Sequence, residues 1–213
     1  MNFDILYCLV KGNTAAANFF IENGLGDYKM LNEMKYPINP LDLAIIYLNI
    51  EQVKFIDKKL DLDEKDNLEK EGLDVDSESE ENTYSDDDYD AQYKFKYPPL
   101  VYAICHPRKE CVEYLIKRGD KVEFTFTSSS YNDYIRPFKA VYTPLGAAID
   151  FGYSEIAKLL INNGANVNAE IRRDLKTYPV FALSIEKYML DISKLLLKKG
   201  ADAYHSVILF SHS

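Results

Sequence analysis

At 213 residues the chain can hold one domain or two, and a hydrophobic fraction of 47% is ordinary for a globular protein. No apolar run approaches the roughly eighteen residues of a membrane-spanning helix, and Met1-Asn2-Phe3-Asp4 lacks the basic-then-apolar order of a signal peptide, so neither is expected. The net charge of −9 is concentrated: residues 57–90 hold sixteen Asp and Glu against four Lys, a balance of −12, which leaves the rest of the chain at +3.

From the N-terminus, residues 2–26 read as two short apolar stripes. Phe3, Leu6, Leu9 and Val10 make the first, Gly12-Asn13 turns the chain, and Ala16, Phe19, Phe20 and Ile21 make the second. Asn13 or Thr14 can cap the second helix. A similar pair spans 39–60: Asn39-Pro40-Leu41 starts a helix that runs to Tyr47, Leu48-Asn49-Ile50 turns without a glycine, and Val53, Phe55 and Ile56 follow.

Periodicity then stops. Residues 61–92 are an acidic insertion, too charged and too poor in apolar groups to offset the entropy of ordering. Asp74, Asp76 and Glu78 alternate as calcium-loop ligands do, but Ser79 stands where the tight glycine belongs and Ser85 where a bidentate glutamate belongs, so no calcium site is expected. Ser77, Thr83 and Ser85 each precede an acidic residue by three, as in substrates of acidophilic kinases; an unmodified solvated loop is the reading taken.

A third pair occupies 97–119. Tyr97-Pro98-Pro99-Leu100 opens it, Val101, Ala103 and Ile104 give one stripe, Pro107 suits the first turn of the next helix, and Cys111, Val112, Leu115 and Ile116 give the other. Lys117-Arg118-Gly119 closes it, with basic groups at the negative helix end. Residues 120–142 form an extended loop in which Val122 to Thr127 alternates as a strand would. A β-hairpin finger is expected there, with Tyr134-Ile135 as its return and an aromatic content, Phe124, Phe126 and Tyr131 among it, that is high for a connection.

The pattern is fullest at 143–169. Thr143 caps and Pro144 opens a helix bearing Leu145, Ala148 and Ile149, Gly152 turns, Ile156, Leu159 and Leu160 repeat the stripe, and Asn162-Asn163-Gly164 stops it. The same order recurs at 178–202, from Tyr178-Pro179-Val180 to Lys199-Gly200-Ala201-Asp202, with Arg172 to Lys176 as the join. Residues 203–213 contain Val207-Ile208-Leu209-Phe210, expected to cap the last helix pair. Each helix has about three turns, too short to stand alone in water, so the pairs must shield one another in a row.

Residues 143–169 resemble an ankyrin repeat: the Thr-Pro-Leu start, paired alanines, glycine turn, Leu-Leu pair and Gly-Ala-Asn-Val-Asn exit are all present, while Gly146 stands where that family usually has histidine. The resemblance implies an all-α, ankyrin-type solenoid of about five helix-turn-helix repeats in one domain, 1–213. It also implies that a partner meets the loop tips and the exposed end of each first helix, on the concave face. Carried over by pattern, those positions are Ile38 and Tyr47; Tyr97 and His106; Tyr142, Asp150 and Phe151; Thr177 and Glu186. Tyr47, Tyr97, Tyr142 and Phe151 are aromatic, and such side chains supply large contact area at modest entropy cost. The expected partner-contact set is therefore Tyr47, Tyr97, Phe124, Phe126, Tyr131, Tyr142, Asp150 and Phe151.

Chemistry of other kinds finds little support. Cys8, Cys105 and Cys111 are an odd number without a Cys-x-x-Cys spacing, read as reduced thiols and not as zinc ligands. His106, His205 and His212 are the three histidines, and no nucleophile elbow, phosphate loop or His-Glu-x-x-His occurs, so neither an enzyme nor a cofactor is expected. Lys and Arg are scattered over helix ends, so direct nucleic-acid binding is not expected.

The leading reading is a monomeric, cytoplasmic module that binds another protein. By resemblance to ankyrin-like proteins of large DNA viruses and intracellular bacteria, it would act on host signalling, in host cytoplasm or nucleus. The competing reading makes residues 57–90 a nucleic-acid mimic or electrostatic decoy for a basic protein; a third makes the chain a structural scaffold.

Overall fold

The computed structural model describes residues 8, 13–23, 40–58, 60, 97–128, 140–173 and 176–204, and these fall into two compact units, Met1–Lys96 and Tyr97–Ser213. The acidic stretch 61–92 and the Val207 to Phe210 run lie outside the described residues.

In the first unit, α1 (Thr14–Glu22) is capped as its sequence suggests: the amide of Ala16 donates to Asn13 Oδ1 at 3.1 Å. Helix α2 (Pro40–Tyr47) buries Leu41, Leu43, Ala44 and Ile45. Residues 50–58 form α3, burying Val53 and Ile56. The turn between α2 and α3 does without glycine because Asn49 and Gln52 form a reciprocal capping box. Gln52 N–H donates to Asn49 Oδ1 at 3.0 Å, and Asn49 N–H donates to Gln52 Oε1 at 3.2 Å.

The second unit contains three helix pairs: α4 (Pro99–Cys105) with α5 (Lys109–Arg118), α6 (Pro144–Asp150) with α7 (Ser154–Asn162), and α8 (Val180–Glu186) with α9 (Leu190–Lys198). Each helix packs on its pair partner; in addition α6 lies against both α4 and α8, and α7 against both α5 and α9. The first helices thus make one row and the second helices another, side by side as a stack of short units requires. The core between the rows is Leu100, Ile104, Leu115, Leu145, Ile149, Leu160, Leu183, Ile192 and Leu196, each at most 1% exposed. Thr143 caps α6 as expected, its Oγ1 accepting from the amide of Gly146 at 3.1 Å. Pro107 instead sits in the turn, and α5 begins at Lys109.

The second unit is not purely helical. Strands β1 (Phe126–Ser128), β2 (Ala140–Tyr142), β3 (Glu170–Arg173) and β4 (Lys176–Pro179) form one antiparallel sheet in that order, with Thr127 opposite Val141, Val141 opposite Arg172 and Ile171 opposite Tyr178. The expectation of an all-α chain is corrected to a mostly helical one with a small sheet. The expected hairpin pairs 126–128 with 140–142; Tyr131, Tyr134 and Ile135 lie outside the described residues. A second hairpin occupies the join between the last two pairs, where only a linker was expected.

Ile171 explains how the sheet rests on the helices. A Cβ placed on Gly146 would lie 2.1 Å from Ile171 Cγ2, so the missing side chain in α6 is the seat of this buried isoleucine. The exits of successive pairs are also tied together: the amide of Asn166 donates to Glu123 Oε2 at 2.8 Å, and that of Asp202 to Asn168 Oδ1 at 2.7 Å.

Candidate functional site

Seven aromatic rings among the described residues of the second unit form a connected row. Tyr102 meets Tyr97 at 6.2 Å between centroids, Tyr97 meets Phe126 at 6.0 Å, and Phe126 meets Phe124 at 6.3 Å and Tyr142 at 5.9 Å. Tyr142 meets Phe151 at 5.7 Å, and Phe151 meets Tyr153 at 6.0 Å. These separations suit tilted and edge-to-face aromatic pairing, which adds to simple burial. The row crosses elements. Tyr97 precedes α4, Phe126 and Tyr142 face each other across β1 and β2, and Phe151 and Tyr153 flank the turn between α6 and α7. The Tyr97 hydroxyl also donates to the carbonyl of Thr127, fixing the start of α4 to β1.

Exposure divides the row. Phe126 and Tyr142 are buried, Tyr97, Tyr102, Phe124 and Tyr153 are half-buried, and Phe151 is 39% exposed. The two buried rings are a floor, and the others offer faces or edges to solvent.

Beside the row lies a charged junction centred on Asp150, whose side chain is only 6% exposed. The Tyr142 hydroxyl donates to its Oδ2 at 2.9 Å, while Arg173 Nη1 and Lys187 Nζ reach its Oδ1 at 2.6 and 3.0 Å. Arg173 also lies over the ring of Tyr178, 4.8 Å from the centroid, and 3.6 Å from Glu186. Burial alone would push the Asp150 carboxyl up. Hydrogen bonds from Lys187 and Tyr142, with the charges of Arg173 and Lys187, outweigh it and hold the group below the usual carboxylate range. One carboxylate therefore joins β2, β3, the end of α6 and the turn after α8.

Of the residues singled out from sequence, Tyr97, Phe124, Phe126, Tyr142, Asp150 and Phe151 are brought together in the second unit. Tyr47 is an exposed residue at the end of α2 in the first unit, and Tyr131 lies outside the described residues. Tyr142 and Asp150 are bonded to each other beneath the surface. Sequence reasoning passed over Tyr102 and Tyr153, which stand one helical turn inside α4 and just before α7. It also passed over Arg173 and Lys187, because nothing local marks them as partners of a carboxylate more than twenty residues earlier.

Other chemistry is sparse. Burial pushes the thiols of Cys105 and Cys111 up, which keeps them protonated and poorly nucleophilic near neutrality. Burial and then the charge of Arg108 push His106 down. Among the described residues no group of three or more His, Cys, Asp or Glu is placed to hold a metal ion, and no helix is long and apolar enough to cross a membrane.

Residues 80–171 match the family model of ankyrin repeats in three copies. The match spans less than half of the chain, and by it this segment is similar to an ankyrin-repeat array. It takes in the first two helix pairs of the second unit, β1, β2 and the start of β3, and so all seven rings of the aromatic row. No curated protein sequence matches the chain. A stacked helical fold of this type is consistent with a scaffold for contacts between proteins.

Proposed function

We propose that the protein is a non-enzymatic interaction module that takes a partner protein along the aromatic row of its ankyrin-repeat segment. The observation that carries this reading is the row itself: connected rings, floored by Phe126 and Tyr142 and opening to solvent at Phe151. Half-buried aromatics held in place by their neighbours lose little entropy on contact and present area that water covers poorly. The sheet and the Asp150 junction keep that surface in shape.

The test uses the full chain with Phe151→Ala and Tyr153→Ala together, leaving Tyr142 and its bond to Asp150 intact. The variant is expected to keep the helical signal and thermal midpoint of the parent and to lose the proteins that the parent retains on an affinity matrix. Retention by the variant would move the contact elsewhere. Charge mimicry by residues 57–90 is separated by deleting 62–92: binding along the row survives the deletion, whereas binding through the acidic stretch does not.

A further inference from the structure

The three helix pairs of the second unit turn in the same way. Just before each second helix, the amides of Arg108, Tyr153 and Met189 donate to the carbonyls of Ala103, Ala148 and Ser184, each at 2.8 Å. That shared bond aligns the turns, so Pro107, Gly152 and Tyr188 hold one position, and Lys109, Ser154 and Leu190, the first residues of α5, α7 and α9, hold another. The last two pairs, α6/α7 and α8/α9, correspond throughout: Pro144–Asp150 matches Val180–Glu186, and Ser154–Asn162 matches Leu190–Lys198.

Gly152 shows what the first position asks for in the last two turns. Its φ is 80°, in the left-handed region that glycine enters without cost. Tyr188 stands at φ 57°, where a residue with a side chain is strained. Packing does not offset that strain, because Tyr188 is 90% exposed. Leu190 is 65% exposed at a position where α5 has lysine and α7 has serine. The last turn thus carries two large apolar groups in water, one of them against the preference of the backbone.

This turn adjoins the end of the aromatic row. Helix α8 packs on α6 and α9 on α7, which sets residues 187–189 beside residues 151–153, where the row ends on Phe151 and Tyr153. Lys187 takes the position of Phe151 and crosses between the turns, its Nζ 3.0 Å from Asp150 Oδ1. Asp150 is shared with Arg173, and Glu186 lies 3.6 Å from that same arginine. The Lys187 ammonium has three donors, and its side chain is one-third exposed, so it can also serve an acceptor arriving from solvent.

We propose that residues 187–190 extend the partner-binding surface, so that a protein segment lying on Phe151 and Tyr153 continues onto Tyr188 and Leu190. The segment carries a carboxylate for Lys187, flanked on both sides by apolar side chains. The inference rests on the aromatic row being the contact surface, and it places part of that surface beyond residues 80–171, the stretch that matches the family model.

The test uses the full chain and a displayed library of random peptides as the probe, with the most enriched peptide then measured by itself. Enriched sequences are expected to hold Asp or Glu between aromatic or aliphatic residues, and Tyr188→Gly with Leu190→Ser is expected to weaken the chosen peptide by about tenfold or more. Enrichment without an acidic residue, or unchanged affinity in this variant, overturns the proposal. Phe151→Ala with Tyr153→Ala tells the two readings apart: a peptide lost by that pair and kept by the turn variant contradicts the extension alone, and a peptide kept by both contradicts the row as well. Tyr188→Gly by itself relieves the backbone and is expected to raise the thermal midpoint by about 2–4 °C. An unchanged or lower midpoint would show that the tyrosine serves the fold, and overturns the proposal.

Discussion

Asp150 is the residue on which local chemistry and packing converge. Its carboxyl is held below the ordinary range, so ionisation is easier in the folded chain than in the unfolded one. The resulting stabilisation is complete above the unfolded value of about 3.9 and is lost as pH falls through the folded value. Asp150→Asn is therefore expected to lower stability at pH 7 by about 1.5–3 kcal/mol, and the difference from the parent should shrink as pH falls through the folded value, as followed by thermal melts across pH. Gly146 makes a different kind of demand. Gly146→Ala forces a methyl into Ile171 Cγ2 and is expected to cost about 1–3 kcal/mol, with part of that recovered when Ile171→Ala is added, read from chemical denaturation of the four chains. Neither role was legible in the sequence. Asp150 reads as the exposed last residue of a helix, and its partners come from β3 and from the turn after α8. Gly146 reads as a lost histidine until the isoleucine that occupies its space is seen.

At the scale of elements, the pairs α6/α7 and α8/α9 solve one packing problem in two ways. Ala148 of α6 and Ala157 of α7 are both fully or almost fully buried, and their counterparts are Ser184 of α8 and Ser193 of α9. Ser184 Oγ donates to Phe181 O at 2.7 Å and accepts from Ser193 Oγ at 2.7 Å, with Met189 O the alternative acceptor for the Ser193 hydroxyl at 3.2 Å. Ser184→Ala alone is expected to cost about 1 kcal/mol, while Ser184→Ala with Ser193→Ala should return close to the parent, because the preceding unit already packs as alanines. A thermal-melt double-mutant cycle checks this. The helices themselves were legible, because stripe, cap and glycine stop are local signals. The capping box at Asn49 and Gln52 was also written in the sequence, as Asn-x-x-Gln, though the glycine-free turn drew attention away from it. The β3–β4 hairpin was not. Lys, Arg, Glu and Thr dominate it, and only Ile171 and Pro179 are buried; its strand character comes from the sheet it joins.

For the second unit as a whole, the arrangement rests on short helix pairs that need their neighbours. The last pair shows what a neighbour contributes. Ile149 of α6 and Ile161 of α7 are 0% and 2% exposed, whereas the matching Ile185 and Leu197 are 48% and 47% exposed. In a row of units held by nearest-neighbour contacts, the end pair opens first. Three rings of the aromatic row, Tyr142, Phe151 and Tyr153, adjoin the more protected pair α6 and α7. Native-state hydrogen exchange over a denaturant series tests this most directly. The account predicts that amides of α8 and α9 open at lower free energy, and with a smaller denaturant slope, than those of α6 and α7. One common free energy and slope for all four helices would contradict it.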